Sequence, residues 1–223
     1  MYKLLFVSQI SENVKARIAR IFNDYYQRIQ DVILLSDQEI EVLIHYSDNG
    51  VLDGEANMLQ RYLILHVNDS FSDQELLILL GHELFHIAHY DFFGVRETNM
   101  DVIIDEGMAI IAENKLRGCL KLDVKTQDQT WRVRLKRQEI LRLLEKATDQ
   151  SLFFDDNWND LLLNKDLQNK NFADNSIYQV GFWLANKIMR EQKMSFEEIV
   201  VKDGRFWEKQ IAQIMRNQEV ECR

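Results

Sequence analysis

The chain has 223 residues, 46% of them hydrophobic, with 36 acidic against 27 basic side chains and a net charge of −9; this length suits one domain with a sizeable core or two tightly packed lobes. With no proline and only 8 glycines, collagen-like, proline-rich and low-complexity architectures are excluded and long helices are expected. The net acidic balance argues against a phosphate-binding surface, so nucleic acid is not an expected partner.

Leu4 to Val7 form the first apolar run, far short of the ~7 to 15 residues of a signal-peptide core. No stretch approaches the ~20 apolar residues of a spanning helix, so a cytoplasmic protein with no membrane partner is expected. From Ser11 to Leu35, apolar residues recur at steps of three and four (Val14, Ile18, Ile21, Phe22, Tyr25, Ile29, Val32, Ile33), the period of an amphipathic helix. Residues 40 to 46 and 61 to 67 are rich in β-branched and aromatic side chains and predict strands. Between them Asp48-Asn49-Gly50 and Asp53-Gly54 supply turn chemistry, and Val51 to Met58 reads as a short edge strand.

Ser72 with Glu75 forms a capping box, and the apolar run that follows predicts a buried helix to about Tyr90. A second helix is expected from Thr98, with Asp101 at the box position, to about Leu116, where Gly118 closes it. The rest reads helical, over roughly 126 to 148, 155 to 164, 175 to 192, a Ser195/Glu198 box, and 204 to 217. The fold class is therefore α+β. Residues 1–95 give an N-terminal helix, sheet and active-site helix, and 96–223 a helical lobe, the two making one compact catalytic unit. Cys119 and Cys222 are too few for a disulfide framework or a thiolate zinc cluster, and reduced thiols are expected, although spacing leaves one bridge between them open.

Residues 82 to 86 read His-Glu-Leu-Phe-His, inside the buried helix. A chain of this composition would match His-Glu-x-x-His by accident on the order of once per hundred such chains. On a helix, His82 and His86 lie ~40° apart and one turn along the axis, so both imidazoles can reach one tetrahedral ion while Glu83 stands beside them. Ordinary core histidines are the plainer reading, but three polar side chains in an apolar helix cost several kcal/mol if left unpaired, and a zinc ion satisfies both rings together.

A catalytic zinc needs a third protein ligand. His89 shares the face but lies ~10 Å along the axis from His82, and reads as a flanking or surface histidine. Glu106 is the better candidate: 19 residues, 87 to 105, separate it from His86, and an antiparallel helix pair joined through Phe92 to Glu97 would return it alongside. Gly107 and Ala109 lack the bulk that would keep two helices, or a substrate, apart. A glutamate beside a glycine can also be a plain solvated position.

At these residues the chain resembles the gluzincin metallopeptidases. The interval from His86 to Glu106 is that of thermolysin-like enzymes; Asp105-Glu106-Gly107-Met108-Ala109 is similar to the Asn-Glu-Gly-x-Ala segment of aminopeptidase N-like enzymes, with Asp105 in place of Asn; and Tyr178-Gln179-Val180-Gly181 resembles the Tyr-x-x-Gly helix of predicted zinc proteases. The resemblance implies a zincin-like fold, one zinc per chain held by His82, His86 and Glu106, Glu83 as general base, Tyr178 as donor to the oxyanion, and a peptide or protein substrate. Asp105 would add charge near the metal. The Gly-x-Met-Glu-Asn loop with which aminopeptidase N-like enzymes grip a free amine is absent; Gly54-Glu55-Ala56-Asn57-Met58 holds related residues in another order and is read as coincidence, so exopeptidase action is unsupported.

Glu113, a heptad after Glu106, reads either as the carboxylate that orients a ligand histidine or as a surface charge. Tyr178 lies on a stripe with Gly181 and Ala185, which leaves room for a phenol reaching into a cleft or for a helix crossing at which the phenol packs. An extended peptide would pair along the exposed edge of the 51 to 67 sheet. Two other functions stay open: a non-catalytic zinc-stabilised interaction protein, which would need neither Glu83 nor a Tyr178-like donor, and a regulatory protease that cleaves a partner repressor, whose class matches the Glu106 spacing less well.

Overall fold

A computed structural model describes residues 1–48, 50, 52–94, 98–122, 135–148 and 176–221. Among them are four strands and seven helices, an α+β fold. Two compact units divide the chain, Met1–Asp91 with Ala112–Asp123, and Phe92–Ile111 with Val124–Arg223.

In the first unit β1 (Tyr2–Phe6) leads into α1 (Glu12–Ile33), followed by β2 (Ile40–Tyr46), β3 (Asp53–Asn57), β4 (Tyr62–Val67) and α2 (Asp73–Phe93). The strands form one sheet in the order β1-β2-β4-β3. β1, β2 and β4 run parallel, and β3 pairs antiparallel with β4 at the edge, Gly54 opposite Leu65. β1 is a strand that the sequence reading did not separate from its short apolar run. Alternation decides which face is inside: Ile40, Val42, Ile44, Leu63, Leu65 and Val67 are fully buried, whereas Leu43, His45, Ile64 and His66 on the other face are half-buried.

Ser11 caps α1 by accepting from the Val14 N–H, and Leu34 ends it in the left-handed region (φ 60°). Tyr2 stacks obliquely on Phe22 and Tyr26, ring centroids 5.2 and 4.6 Å away, locking β1 to α1. The capping box of α2 forms as its sequence requires: the Ser72 N–H donates to Glu75 Oε2 (2.7 Å) and the Glu75 N–H to Ser72 Oγ (3.1 Å). Asp73, in the first turn of α2, holds Arg17 and Arg20 of α1, each at 2.6 Å.

α3 (Asn99–Leu120) opens with a reciprocal Thr98/Asp101 box. It does not stop near Leu116. Gly118 lies within the helix, and Lys121, at φ 52°, turns the chain out of it. A helical glycine costs only about 1 kcal/mol relative to alanine, too little to end a helix whose other residues favour continuing.

The second unit holds the N-terminal half of α3, then α4 (Arg137–Thr148), α5 (Ser176–Gln192), α6 (Phe196–Val200) and α7 (Gly204–Glu221). The Ser195/Glu198 capping box is present at α6. Ile103, Ile110, Val180, Leu184, Ile188, Ile199 and Trp207 supply its core. The helix expected at 155 to 164, the start of the one expected at 126 and Cys222 lie outside the described residues; Cys119 is exposed and free. No helix among the described residues is long and apolar enough to cross a membrane.

Candidate metal centre

α2 is apolar around most of its circumference, yet from its middle onward it buries four polar side chains: His82 (8% exposed), Glu83 (7%), His86 (5%) and His89 (0%). The imidazoles of His82 and His86, one turn apart, have ring centroids 4.7 Å apart and nearly perpendicular planes (82°). The ligand atoms that His82, His86 and Glu106 offer lie within 4.8 Å of one another. Two imidazoles and one carboxylate at this separation suit zinc, whose catalytic sites take three protein ligands and keep one position open.

Glu113 is buried, and its Oε1 lies 2.7 Å from His82 Nδ1. A carboxylate accepts, so the ring donates from Nδ1 and the nitrogen left to bind a metal is Nε2. The other oxygen, Oε2, faces the Arg117 guanidinium one turn on, at 3.9 Å. Burial pulls the Arg117 pKa down and the Glu113 charge opposes that shift. An arginine, a carboxylate and an imidazole thus stand in a row. Sequence reasoning did not single out Arg117, although its i,i+4 spacing from Glu113 was the available signal.

His89 is neither a surface residue nor part of the three-residue donor group: it is fully buried and stacks on Phe85, ring centroids 5.1 Å apart at 25°. Asp105 is buried, and Tyr178 is half-buried on α5.

Three glycines explain how closely the elements approach. A Cβ on Gly81, next to His82, would lie 2.4 Å from Leu116 Cδ2 of α3. A Cβ on Gly107 would lie 2.1 Å from the Gly181 carbonyl carbon, and one on Gly181 would lie 2.0 Å from the Ile103 carbonyl oxygen. α3 and α5 therefore touch backbone to backbone, which only glycine permits. What approaches the small residues near Tyr178 is thus a helix. The Glu-Gly and Tyr-x-x-Gly segments, recognised separately in the sequence, are two halves of one contact.

The sequence marks Asp53-Gly54 as a turn pair, but both lie within a strand, and Gly54 has a role that its turn chemistry does not suggest. In the structure Gly54 to Asn57 lie in edge strand β3, and a Cβ on Gly54 would lie 2.8 Å from Glu83 Cγ.

No curated protein and no solved structure matches the chain. Residues 7–204 match the model of the family described as "Predicted Zn-dependent protease (DUF2268)". Spanning most of the sequence, that match makes the chain a member of this family of predicted zinc-dependent proteases.

Proposed function

We propose that the protein is a gluzincin-like peptidase in which His82, His86 and Glu106 hold one zinc ion, Glu83 is the general base and Tyr178 is a donor to the oxyanion. The observation that carries this reading is the donor set, two buried imidazoles and a half-buried carboxylate within 4.8 Å, with Glu83 beside the histidines on the same helix. Zinc bound there supplies Lewis-acid chemistry, polarising a carbonyl oxygen and making water a stronger acid at neutral pH. The Glu83 carboxylate takes a proton from the attacking water and passes it to the nitrogen of the leaving amine. The Tyr178 hydroxyl donates to the oxygen of the tetrahedral intermediate. Glu113 holds His82 in the tautomer that presents Nε2. An extended substrate adds as a strand along the outer edge of β3, beside Glu83.

Elemental analysis of the purified chain, paired with digestion of a quenched-fluorescent peptide library, tests this. About one zinc per chain is expected. Glu83→Gln should keep the zinc and lose turnover by ~10²- to 10⁴-fold, because an amide cannot accept the proton. A folded, metal-free protein indifferent to added zinc overturns the reading. Tyr178→Phe separates donor from packing residue: kcat lowered ~10²-fold at constant KM, zinc content and melting temperature for a donor, against a stability loss of ~1 kcal/mol with turnover intact for a structural phenol.

A further inference from the structure

We infer that Gly54 is the residue that positions Glu83, an inference that rests on Glu83 being the general base. Glycine is a poor strand former, and at this position the backbone does not need it. Gly50 and Gly94 have a positive φ, whereas Gly54 does not. What Gly54 supplies is room. A strand glycine with ordinary extended dihedrals marks a place where something else comes close to the backbone, and here that is the side chain of Glu83.

The distances rank which neighbour yields to a methyl group. Leu79 Cδ1 and Leu65 Cδ2, at 3.1 and 3.2 Å from a Cβ on residue 54, are chain ends that a small rotation moves aside. Glu83 Cγ, at 2.8 Å, is closer than carbon atoms pack, and it is the middle of its side chain. Moving Cγ carries the carboxylate with it. Retreat of β3 is resisted by its ladder to β4, where Gly54 pairs with Leu65 and Asp53 with His66. The bare backbone of the edge strand is thus one wall of the slot in which Glu83 stands. Closing the slot shifts the carboxylate and leaves His82 and His86, on either side of it in sequence, in place.

The test uses the full zinc-loaded chain as wild type, Gly54→Ala, Glu83→Gln and the double variant. It reads kcat and KM on the library peptide that wild type cleaves fastest, zinc content, melting temperature, and a crystal structure of Gly54→Ala. Since a misplacement of about 1 Å can cost ~10²-fold, kcat of Gly54→Ala should fall by ~10- to 10²-fold. KM, zinc content and melting temperature should hold, and the crystal structure should show the Glu83 carboxylate displaced with both imidazoles unmoved. Because Gly54 acts through Glu83, the alanine should cause no further loss in the Glu83→Gln background.

Wild-type kcat in Gly54→Ala, the same fold-loss in both backgrounds, or a Glu83 that stays put while β3 moves would each overturn the inference. If Gly54→Ala folds poorly, adding Leu79→Val clears the next-nearest contact and leaves the Glu83 contact to be read. Full activity in Glu83→Gln would instead overturn the general-base reading, and the crystal structure would still decide whether residue 54 sets the Glu83 side chain.

Discussion

The first unit contains two pairs of neighbouring histidines, and they differ in everything except nearness. His82 and His86 sit a helical turn apart, buried, with ring centroids 4.7 Å apart. His45 and His66 face each other across parallel strands β2 and β4, half-buried, with centroids 5.5 Å apart and planes at 33°. In the helical pair Glu113 fixes one ring's tautomer, and a third donor, Glu106, lies within reach. Among the described residues neither ring of the strand pair is hydrogen-bonded to a carboxylate, and the three-residue donor group does not include them. Two imidazoles at this separation therefore do not by themselves make a metal centre. A metal centre also needs a fixed tautomer, a third ligand and shelter from water, which lowers the dielectric around them.

The sharpest way to break the comparison is to remove a proposed ligand from the helical pair. His86→Ala should leave the chain without zinc after dialysis and abolish turnover, by elemental analysis and peptide cleavage; retained metal would show that the donor set does not hold it. Glu113→Gln keeps the shape but replaces an ionised acceptor, and should weaken zinc affinity by ~10- to 10²-fold in a chelator competition. An unchanged affinity would reduce Glu113 to a buried structural carboxylate. Smallest of all, His45→Ala with His66→Ala should leave zinc at about one per chain and turnover at the wild-type level. Its stability change should stay within ~1 kcal/mol, as for one cross-strand pair, by chemical denaturation. Zinc falling in that variant would erase the distinction.

How much of this could be read from the sequence depends on how local the cause is. The bounds of α1 and the caps of α2 and α3 follow from residues three or four apart, and each was nameable. His82 and His86 share one helix, so their spacing alone put two imidazoles together. β1 was missed because its partner, β2, comes only after the whole of α1; a five-residue strand with a half-exposed pattern has no period strong enough to announce itself. Glu113 stayed ambiguous for a related reason: its heptad offset from Glu106 fixes a face of α3 and does not say what lies against that face. Gly118 misled because glycine marks helix ends only when a left-handed turn follows, and here Lys121 makes that turn. Gly107 and Gly181 were each legible as places of close approach, but that they meet each other, and that Gly54 faces Glu83, no local rule could tell, since these contacts record what another segment does to the residue.

That last contact changes what should be searched for when distant relatives are sought. A His-Glu-x-x-His helix is short enough to arise by accident, and a glutamate downstream adds little statistical weight on its own. Residues 107 and 181 are far apart in the chain and must both lack a side chain for α3 and α5 to cross as they do, so they act as one long-range letter in the sequence. A candidate relative with the zinc motif and glycine at both places can adopt the same crossing. One that keeps the motif but places even alanine at either must separate the helices, and its tyrosine helix would then start from a different seat.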